Sequence, residues 1–443
     1  MILNAPQVDP QPRSVLVELK APQTLGFGMA SENSTTILSD LGIRPDPTFA
    51  PVPVKPTTEQ RLEMLVQNED NQHLIVRTDY LNAEQQAIAL SHPDVVAIWS
   101  DAVVEPFACP IPPCDCSASV AKGSLSDVAD FLGVSTLWAK GFRGANMVVG
   151  VVDGGITAKG RTTVTVENPA NLIDNVIGGW TPDWGTTGKG WNFHGNMCAT
   201  DVLGMAPDCR LYDLRIASPT VPGMLSNAIS AYRWAINQHM ATGTPHVLTN
   251  SWGMYQPGWA PDYVNDPAHP FSRIVVEAIN EGIIVLFAAG NCGSTCPDNR
   301  CGASTGPGAS IWGANGHPRV MTVGAVNKNG QFVGYSSQGP ASLDPHKPDF
   351  CSVTHFKGYF TSDSGTSAAT PIAAGVAALL KQAFPTLTHD GIKQALITTA
   401  HDIGPAGWDQ HSGAGIISAI DAYTSLTASP VLAMADVAMV NAF

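Results

Sequence analysis

Three side chains in this sequence are of the types that, brought together, turn an alcohol into a nucleophile. Asp153 ends the run Val-Val-Asp153-Gly154-Gly155, His194 sits in Phe-His194-Gly195-Asn196, and Ser367 lies in Gly365-Thr366-Ser367-Ala368-Ala369-Thr370-Pro371. A hydroxyl is a poor nucleophile at neutral pH until a base takes its proton. That base needs a third group to hold its tautomer and stabilise its charged form. Taken singly, each motif has an ordinary reading: an Asp-Gly turn, a loop histidine, a helix cap. Taken together, a carboxylate, an imidazole and an alcohol point to covalent catalysis of acyl transfer.

Such groups need elements that carry them to one place. Met147–Val152 is an apolar β run, as suits a strand covered on both faces of a parallel sheet. Arg210–Ile216, His246–Asn250 and Ile283–Ala288 read as further strands, with helices over Asn227–His239 and Phe271–Glu281. Strands alternating with helices imply right-handed βαβ crossovers and a helix-covered parallel sheet. Reactive groups in such sheets gather at the carboxyl ends of strands. Asp153 ends one predicted strand, and Asn291 lies just past another. Ser367 begins an Ala-rich helix running to about Phe384, whose positive end and free N–H groups can receive an oxyanion. His194 opens a helical segment, and Gly195 behind it keeps the backbone close.

Asp, then His, then Ser is the order of the subtilisins, and these motifs resemble those of subtilisin-like serine proteases. The resemblance implies that His194 acts as general base and then general acid, that Asp153 orients it, and that Ser367 forms an acyl-enzyme which water hydrolyses. Phe287-Ala288-Ala289-Gly290-Asn291 resembles the family's oxyanion motif, which implies that the Asn291 amide donates beside the Ser367 N–H. One such donor is worth roughly 2.7–4 kcal/mol of transition-state stabilisation. Asn250-Ser251-Trp252-Gly253 resembles the strand that pairs with substrate backbone. Extended peptides are therefore expected to lie beside Ser251, Trp252 and Gly253, and beside Ala288, Ala289 and Gly290. Gly204-Met205-Ala206-Pro207, the stretch Pro318–Ala325 and Tyr335-Ser336-Ser337 widen the resemblance to about Leu125–Thr427.

The departures from the family pattern are specific. Gly154 stands where relatives have Ser or Thr, Asn196 where they have Thr, and Met197 and Cys198 where they have His and Val. None removes a catalytic group. The short interval from His194 to Gly204 leaves no room for the calcium loop many relatives carry there, so that site is expected to be absent. Calcium elsewhere is left open, and no cofactor is required. The loop Asn291–Gly316 should border the pocket that selects the residue before the cut. Trp180, Trp184 and Trp191 read first as packing and second as the floor of a peptide groove. Two rival readings use the same residues: a peptide ligase or cyclising maturase, and a catalytically silent subtilase fold used as a binding module.

Upstream, Leu74–Pro106 resembles the family's propeptide, with strand, helix, His92-Pro93-Asp94-Val95-Val96, strand and an acidic-valine tail. The resemblance implies an intramolecular inhibitor and folding template whose tail lies in the active-site cleft. The expected layout is an extension over 1–60, its one strand at Val15–Leu19 left open to membership of the prodomain, and a propeptide-like core over 61–107. A processing junction over 108–124, a peptidase domain over 125–427 and a tail over 428–443 follow. Within this layout Pro47–Pro56 reads as a stiff linker, and Thr57–Gln67 as a helix. The fold class expected is a three-layer α/β/α subtilisin-like domain with a mainly parallel central sheet. A small α+β, ferredoxin-like domain precedes it.

Bulk properties narrow the partners. The 443 residues carry a formal net charge of −14, and hydrophobic residues make up 44%. Residues 1–123 hold 7 basic and 15 acidic side chains, and no Lys/Arg cluster occurs, which argues against nucleic acid and anionic membranes. No apolar run reaches the roughly 18 residues of a membrane span. Protein or peptide substrate and the chain's own propeptide are the partners expected, in a monomer. The nine cysteines include two clusters, Cys109/Cys114/Cys116 and Cys292/Cys296/Cys301, open to local disulfides, free thiols or a metal. Low charge density and clustered cysteines favour a secreted enzyme, although the N-terminus shows no signal sequence.

Overall fold

Runs of β-branched residues set the main layer. The computed structural model describes residues 14–22, 27–57, 60, 71–106, 117–161, 172–218, 220 and 222–428. Its first unit runs β1 (Ser14–Pro22), α1 (Phe27–Asp40), β2 (Val52–Val54), β3 (Asn71–Asp79), α2 (Ala83–Leu90), β4 (Val95–Ser100) and β5 (Val103–Pro106). The second opens with α3 (Leu125–Phe131), α4 (Val134–Ala139), β6 (Val148–Asp153), β7 (Val176–Trp180) and α5 (His194–Met205). It continues through β8 (Arg210–Arg215), β9 (Gly223–Met224), α6 (Leu225–Thr242), β10 (Val247–Asn250), β11 (Trp252–Gly253), α7 (Pro261–Asn265) and α8 (Pro270–Asn280). Strands β12 (Ile284–Ala288), β13 (Met321–Asn327) and β14 (Phe350–Thr354) lead to α9 (Thr366–Ala383), α10 (His389–Thr398) and α11 (Ala419–Ala428).

Seven strands, in the order β14-β13-β12-β10-β6-β8-β7, form one sheet in which every pairing is parallel. Side chains alternate between its faces. Val149 and Val151 enter one core with Val202, Met205 and the small residues of α9, while Val148 and Val152 enter the other with α6 and α8. Helices therefore cover both faces, the three-layer arrangement expected. On α9, every residue from Thr366 to Leu380 is buried. Small side chains let it approach α5 closely: a β-carbon on Gly375 would lie 2.6 Å from Met205 Cβ and 3.0 Å from the Val202 carbonyl.

The first unit is a four-stranded antiparallel sheet, β2-β3-β1-β4, with a βαββαβ chain order, the ferredoxin-like arrangement. It starts earlier than the 61–107 core read from sequence, because β1 lies in the middle of the sheet. Pro47–Pro56 is not a linker: Val52–Val54 pairs with His73–Ile75 as an edge strand, where Pro53 lacks no ladder bond that matters. The expected helix over Thr57–Gln67 falls mostly outside the described residues, as do the cysteine cluster 109–116 and most of the C-terminal tail.

Both faces of β1 are buried. Val15, Val17 and Leu19 pack with Leu38, Ala89 and Val95 inside the unit. Leu16 joins Phe49, Val52, Val54 and Ile75 in a core shared with α6 and α8. At the same junction Glu18, fully buried, is met by Arg273 Nη2 at 2.7 Å, His73 Nδ1 at 2.6 Å and Trp99 Nε1 at 2.8 Å. Burial alone would raise the Glu18 carboxyl, but the His73 hydrogen bond and the Arg273 charge leave it below its ordinary value.

The α5–α9 approach yields a stability test. Gly375→Val should destabilise the fold by about 1–3 kcal/mol, as overpacked sites do, read as a lower urea midpoint in a Ser367→Ala background. An unchanged midpoint would show that the two helices are not in the contact described.

Candidate active site

Strand order reverses beside β6, with β8 and β7 on one side and β10, β12, β13 and β14 on the other. A reversal of this kind opens a crevice at the carboxyl ends of the strands. Asp153 is the last residue of β6, Ser251 follows β10, and Gly290 and Asn291 follow β12. Helices α5 and α9 begin at the same rim, one with His194 and the other with Ser367 as its second residue.

His194 Nδ1 lies 2.9 and 3.0 Å from the two Asp153 oxygens. A carboxylate only accepts, so Nδ1 carries the proton and Nε2 keeps a basic lone pair. That Nε2 is buried and has no protein partner. The Ser367 hydroxyl donates to the Ser251 carbonyl at 3.0 Å, and the Ser251 hydroxyl donates back to the Ser367 carbonyl at 2.9 Å. Pro371 explains why that carbonyl is available: it stands four residues on and has no N–H to close the helical bond.

Asn291 is oriented by Thr366, whose N–H and hydroxyl both donate to Oδ1 at 3.0 Å. Its carbonyl end is thus occupied, which leaves the NH₂ as the donor end. Gly365, with φ of 82°, turns the chain into α9, and its N–H donates to the Tyr335 hydroxyl at 2.8 Å.

The other expected site residues fall around this centre. Trp252 and Gly253 form β11, and β5 of the first unit lies against it, pairing Pro106 with Trp252 and Glu105 with Gly253. The same strand pairs Val103 with Met224 and Val104 with Gly223 on its other side. Ala288, Ala289 and Gly290 line the rim with much of their backbone bonded internally. The Ala288 carbonyl accepts from Asn315, and the Ala289 N–H donates to Val323. The Gly290 N–H donates to Thr366 and its carbonyl accepts from Ser337. Of the three tryptophans, only Trp191 borders the site, its ring 6.3 Å from that of His194 and edge-on. Trp184 lies under the Arg161 guanidinium, and Trp180 packs on the α6–α8 core.

Each departure from the family pattern has a local reason. A β-carbon on residue 154 would lie 2.5 Å from the Gly190 carbonyl, so Ser or Thr does not fit there. Asn196 ties three segments: its Oδ1 accepts from the Thr157 N–H at 2.8 Å, and its Nδ2 donates to the Tyr359 hydroxyl at 3.1 Å. Cys198 Sγ sits 3.6 Å from Asp153 Oδ2, 3.8 Å from His194 Nδ1 and 3.7 Å from the Ser367 carbonyl. Burial first, and Asp153 next, push its thiol well above the ordinary range. Asp153, His194 and Cys198 form the one trio of potential metal donors among the described residues. With the thiol protonated and Asp153 serving His194, the trio needs no cation for balance. Cys292 and Cys301 form a disulfide and Cys296 is also disulfide-bonded, so this cluster offers no thiolates to a metal.

Sequence reasoning did not identify Thr366, Tyr359 or Asn196 as parts of the site. Asn196 had a visible signal, as a departure two residues after His194, and Thr366 stood within the quoted motif of Ser367.

Comparison with known proteins agrees with this geometry. Residues 144–415 match the profile of the Subtilase family. Subtilisin DY of Bacillus licheniformis is 30% identical over 278 residues, which cover 60% of this chain and 88% of that protein. Serine protease AprX of Bacillus subtilis is 32% identical over 244 residues, covering 46% of this chain and 52% of the relative. In structure, fervidolysin of Fervidobacterium pennivorans, a keratinolytic enzyme related to subtilisin, superposes with a TM-score of 0.60 at 17% identity. That match covers 93% of this chain and 61% of fervidolysin. With the matched profile spanning more than half its length, the chain belongs to the subtilase family of serine endopeptidases.

Proposed function

We propose that this protease is made as a zymogen and cuts peptide bonds through an acyl-enzyme on Ser367. The observation that carries the reading is His194, held at Nδ1 by both oxygens of Asp153 with its Nε2 buried and unpartnered. A rotation about the Ser367 Cα–Cβ bond turns the hydroxyl from the Ser251 carbonyl to that lone pair. Such bonds are often looser before substrate arrives. His194 takes the proton as the oxygen attacks the scissile carbonyl, then passes it to the leaving amine, while Asp153 stabilises the imidazolium. Asn291 Nδ2 and the Ser367 N–H receive the developing oxyanion at the positive end of α9. Water then releases the acyl group by the reverse proton path. No cofactor enters any step.

The first unit serves as the inhibitor. Strand β5 lies against Trp252 and Gly253, where an extended substrate would pair. Ser251, next to Trp252, is bonded to Ser367. This nearness of β5 to Ser367 supports self-cleavage between Phe107 and Ser124. The front piece stays bound afterwards through the shared core and the Glu18–Arg273 pair. The Cys292–Cys301 disulfide favours an oxidising compartment, hence export.

Two measurements test this reading. Ser367→Ala should abolish labelling by a serine-directed phosphonate, and Asn291→Ala should lower kcat by about 10²–10³ with KM little changed. Equal labelling of Ser367→Ala, or an unaffected Asn291→Ala enzyme, would remove the proposed roles. N-terminal sequencing should find a new terminus in the junction of the unmutated protein and none in Ser367→Ala. Glu18→Ala leaves Arg273 buried without its carboxylate, a loss worth about 2–5 kcal/mol. It should make the cleaved front piece elute separately in gel filtration, whereas the unmutated piece co-elutes. Co-elution in both would argue against the interface described.

A further inference from the structure

Two carboxyl groups beneath the triad are left unused by this chemistry. Asp201 lies two turns along the helix that His194 opens, and Asp363 lies four residues before Ser367. Both are fully buried. They close round Gly358, where a β-carbon would sit 2.1 Å from Asp363 Oδ2 and 3.0 Å from Asp201 Oδ1. Two oxygens that approach one point this closely lie within about 5 Å of each other, so the carboxyls face one another across a buried space.

Their other partners differ. Asp363 Oδ2 accepts the Tyr359 N–H at 2.7 Å, and Oδ1 accepts the Phe360 N–H at 2.8 Å. Among the described residues, no N–H or hydroxyl donor reaches either oxygen of Asp201. Two ionised carboxylates facing each other in a buried site repel, and a single proton between them turns that repulsion into a hydrogen bond. Two amides hold Asp363 as an acceptor, so the proton resides on Asp201. The electrostatics run the same way. Burial, then the Asp363 charge, push Asp201 well above the carboxylate range. Burial also lifts Asp363, but the Asp201 hydrogen bond and the two amides pull it back.

We infer that Asp201 and Asp363 share one proton, and that this bond positions the nucleophile's loop on the helix of the catalytic base. The inference rests on the triad roles proposed above. Its mechanics lie in the loop from His355 to Gly365. The Asp363 carbonyl accepts the His355 and Phe356 N–H groups at 2.9 and 3.4 Å, and its own N–H donates to the Phe356 carbonyl at 2.7 Å. Asp363 thus closes the turn that delivers Gly365 and Ser367, and its side chain fastens the turn to α5. The Asn196–Tyr359 bond is a second, neutral tie between the same two segments. The other titratable groups acting on the pair are His194, whose charge stabilises ionised Asp363, and the Cys198 thiol one turn back on α5. Asp153, bonded to His194, also lies 3.6 Å from the Cys198 sulfur.

Both members are positioning residues, and the sign of their pH dependence follows. Native Asp201 holds a proton that the unfolded chain releases in the usual carboxylate range. Its contribution to stability therefore falls as pH rises towards the native value. Above that value the pair carries two charges, and the loop loses its fastening.

The test combines spectroscopy and kinetics on the full chain. In Ser367→Ala protein at neutral pH, the infrared spectrum should contain a protonated carboxylic acid C=O stretch that Ser367→Ala/Asp201→Asn lacks, seen as a negative band in the difference spectrum, because buried Asp213, raised to about 7, contributes equally to both proteins. In active enzyme, Asp201→Asn retains a donor to Asp363, so kcat at neutral pH should stay within about threefold of the unmutated enzyme. The alkaline fall in kcat/KM should move to higher pH. Asp201→Ala should lose about tenfold in kcat with little change in KM. Three results would each overturn the inference. One is a difference spectrum in which Asp201→Asn removes no acid band. Another is an Asp201→Asn enzyme as impaired or as poorly folded as Asp201→Ala. The third is an alkaline limb at the same pH with and without the acid. If instead the triad reading is wrong, Ser367→Ala retains activity, while the infrared band still reports the shared proton.

Discussion

Two helices, each carrying a reactive residue in its first turn, must meet over one edge of one sheet without a charge being left unpaired. Close approach comes from size: α9 is made of Ala, Gly, Ser and Thr where it crosses α5, and Gly375 lies against Met205 and the Val202 carbonyl. Such proximity buries every polar group at the rim, and an unpartnered buried polar group costs about 1–3 kcal/mol. The rim answers with short local pairings: Asp153 with His194, Thr366 with Asn291, and the reciprocal bonds of Ser251 and Ser367. Within the Asp153–His194–Ser367 trio, Nε2 of His194 is the polar side-chain atom left without a partner among the described residues, and the proposed chemistry requires that atom to be open.

Pro371 shows how a single sequence feature serves both packing and chemistry. In the interior of a helix it removes a backbone bond, and here the orphaned acceptor is the carbonyl of Ser367, the proposed nucleophile. Ser251 fills the vacancy from the end of β10, and so joins the start of α9 to the sheet rim at the residue where substrate backbone is expected.

Legibility in the sequence followed how far each feature is fixed by local chemistry. The placement of Asp153, His194, Ser367 and Asn291 at one rim was readable because few residue types suit the proposed chemistry, and the strands β6, β10 and β12 because apolar β runs between helices are distinctive. Strand β14 was not: Phe350–Thr354 is short and follows a Pro-containing turn with no helix before it. The start of the first unit was misplaced because Pro, Ser and Asn in residues 27–56 suggest irregular chain. The edge position of β2 tolerates Pro53, and tertiary contact supplies what local propensity lacks. The Asp201–Asp363 contact joins distant segments. Its only local trace is an acid on the otherwise buried face of α5, seven residues after His194 and hence on nearly the same side of the helix.

The first unit's design argues that it is shaped as a ligand as much as a domain. An isolated α+β unit of this kind ordinarily buries one face of its sheet under helices and leaves the other in water. Here the outward face carries Leu16, Ile75, Val52 and Val54, and among them Glu18, a carboxylate with no exposure. Removed from α6 and α8, that face would present an apolar patch to solvent, and Glu18 would lose Arg273. On the other side of the junction, Arg273 would lose its carboxylate. Each surface therefore carries features that are stabilising only when the two are together. This is why association can be strong without β5 being gripped by more than the few main-chain bonds of β9 and β11. On the proposed zymogen reading, affinity resides in the broad face, and the short β5 is what substrate would replace.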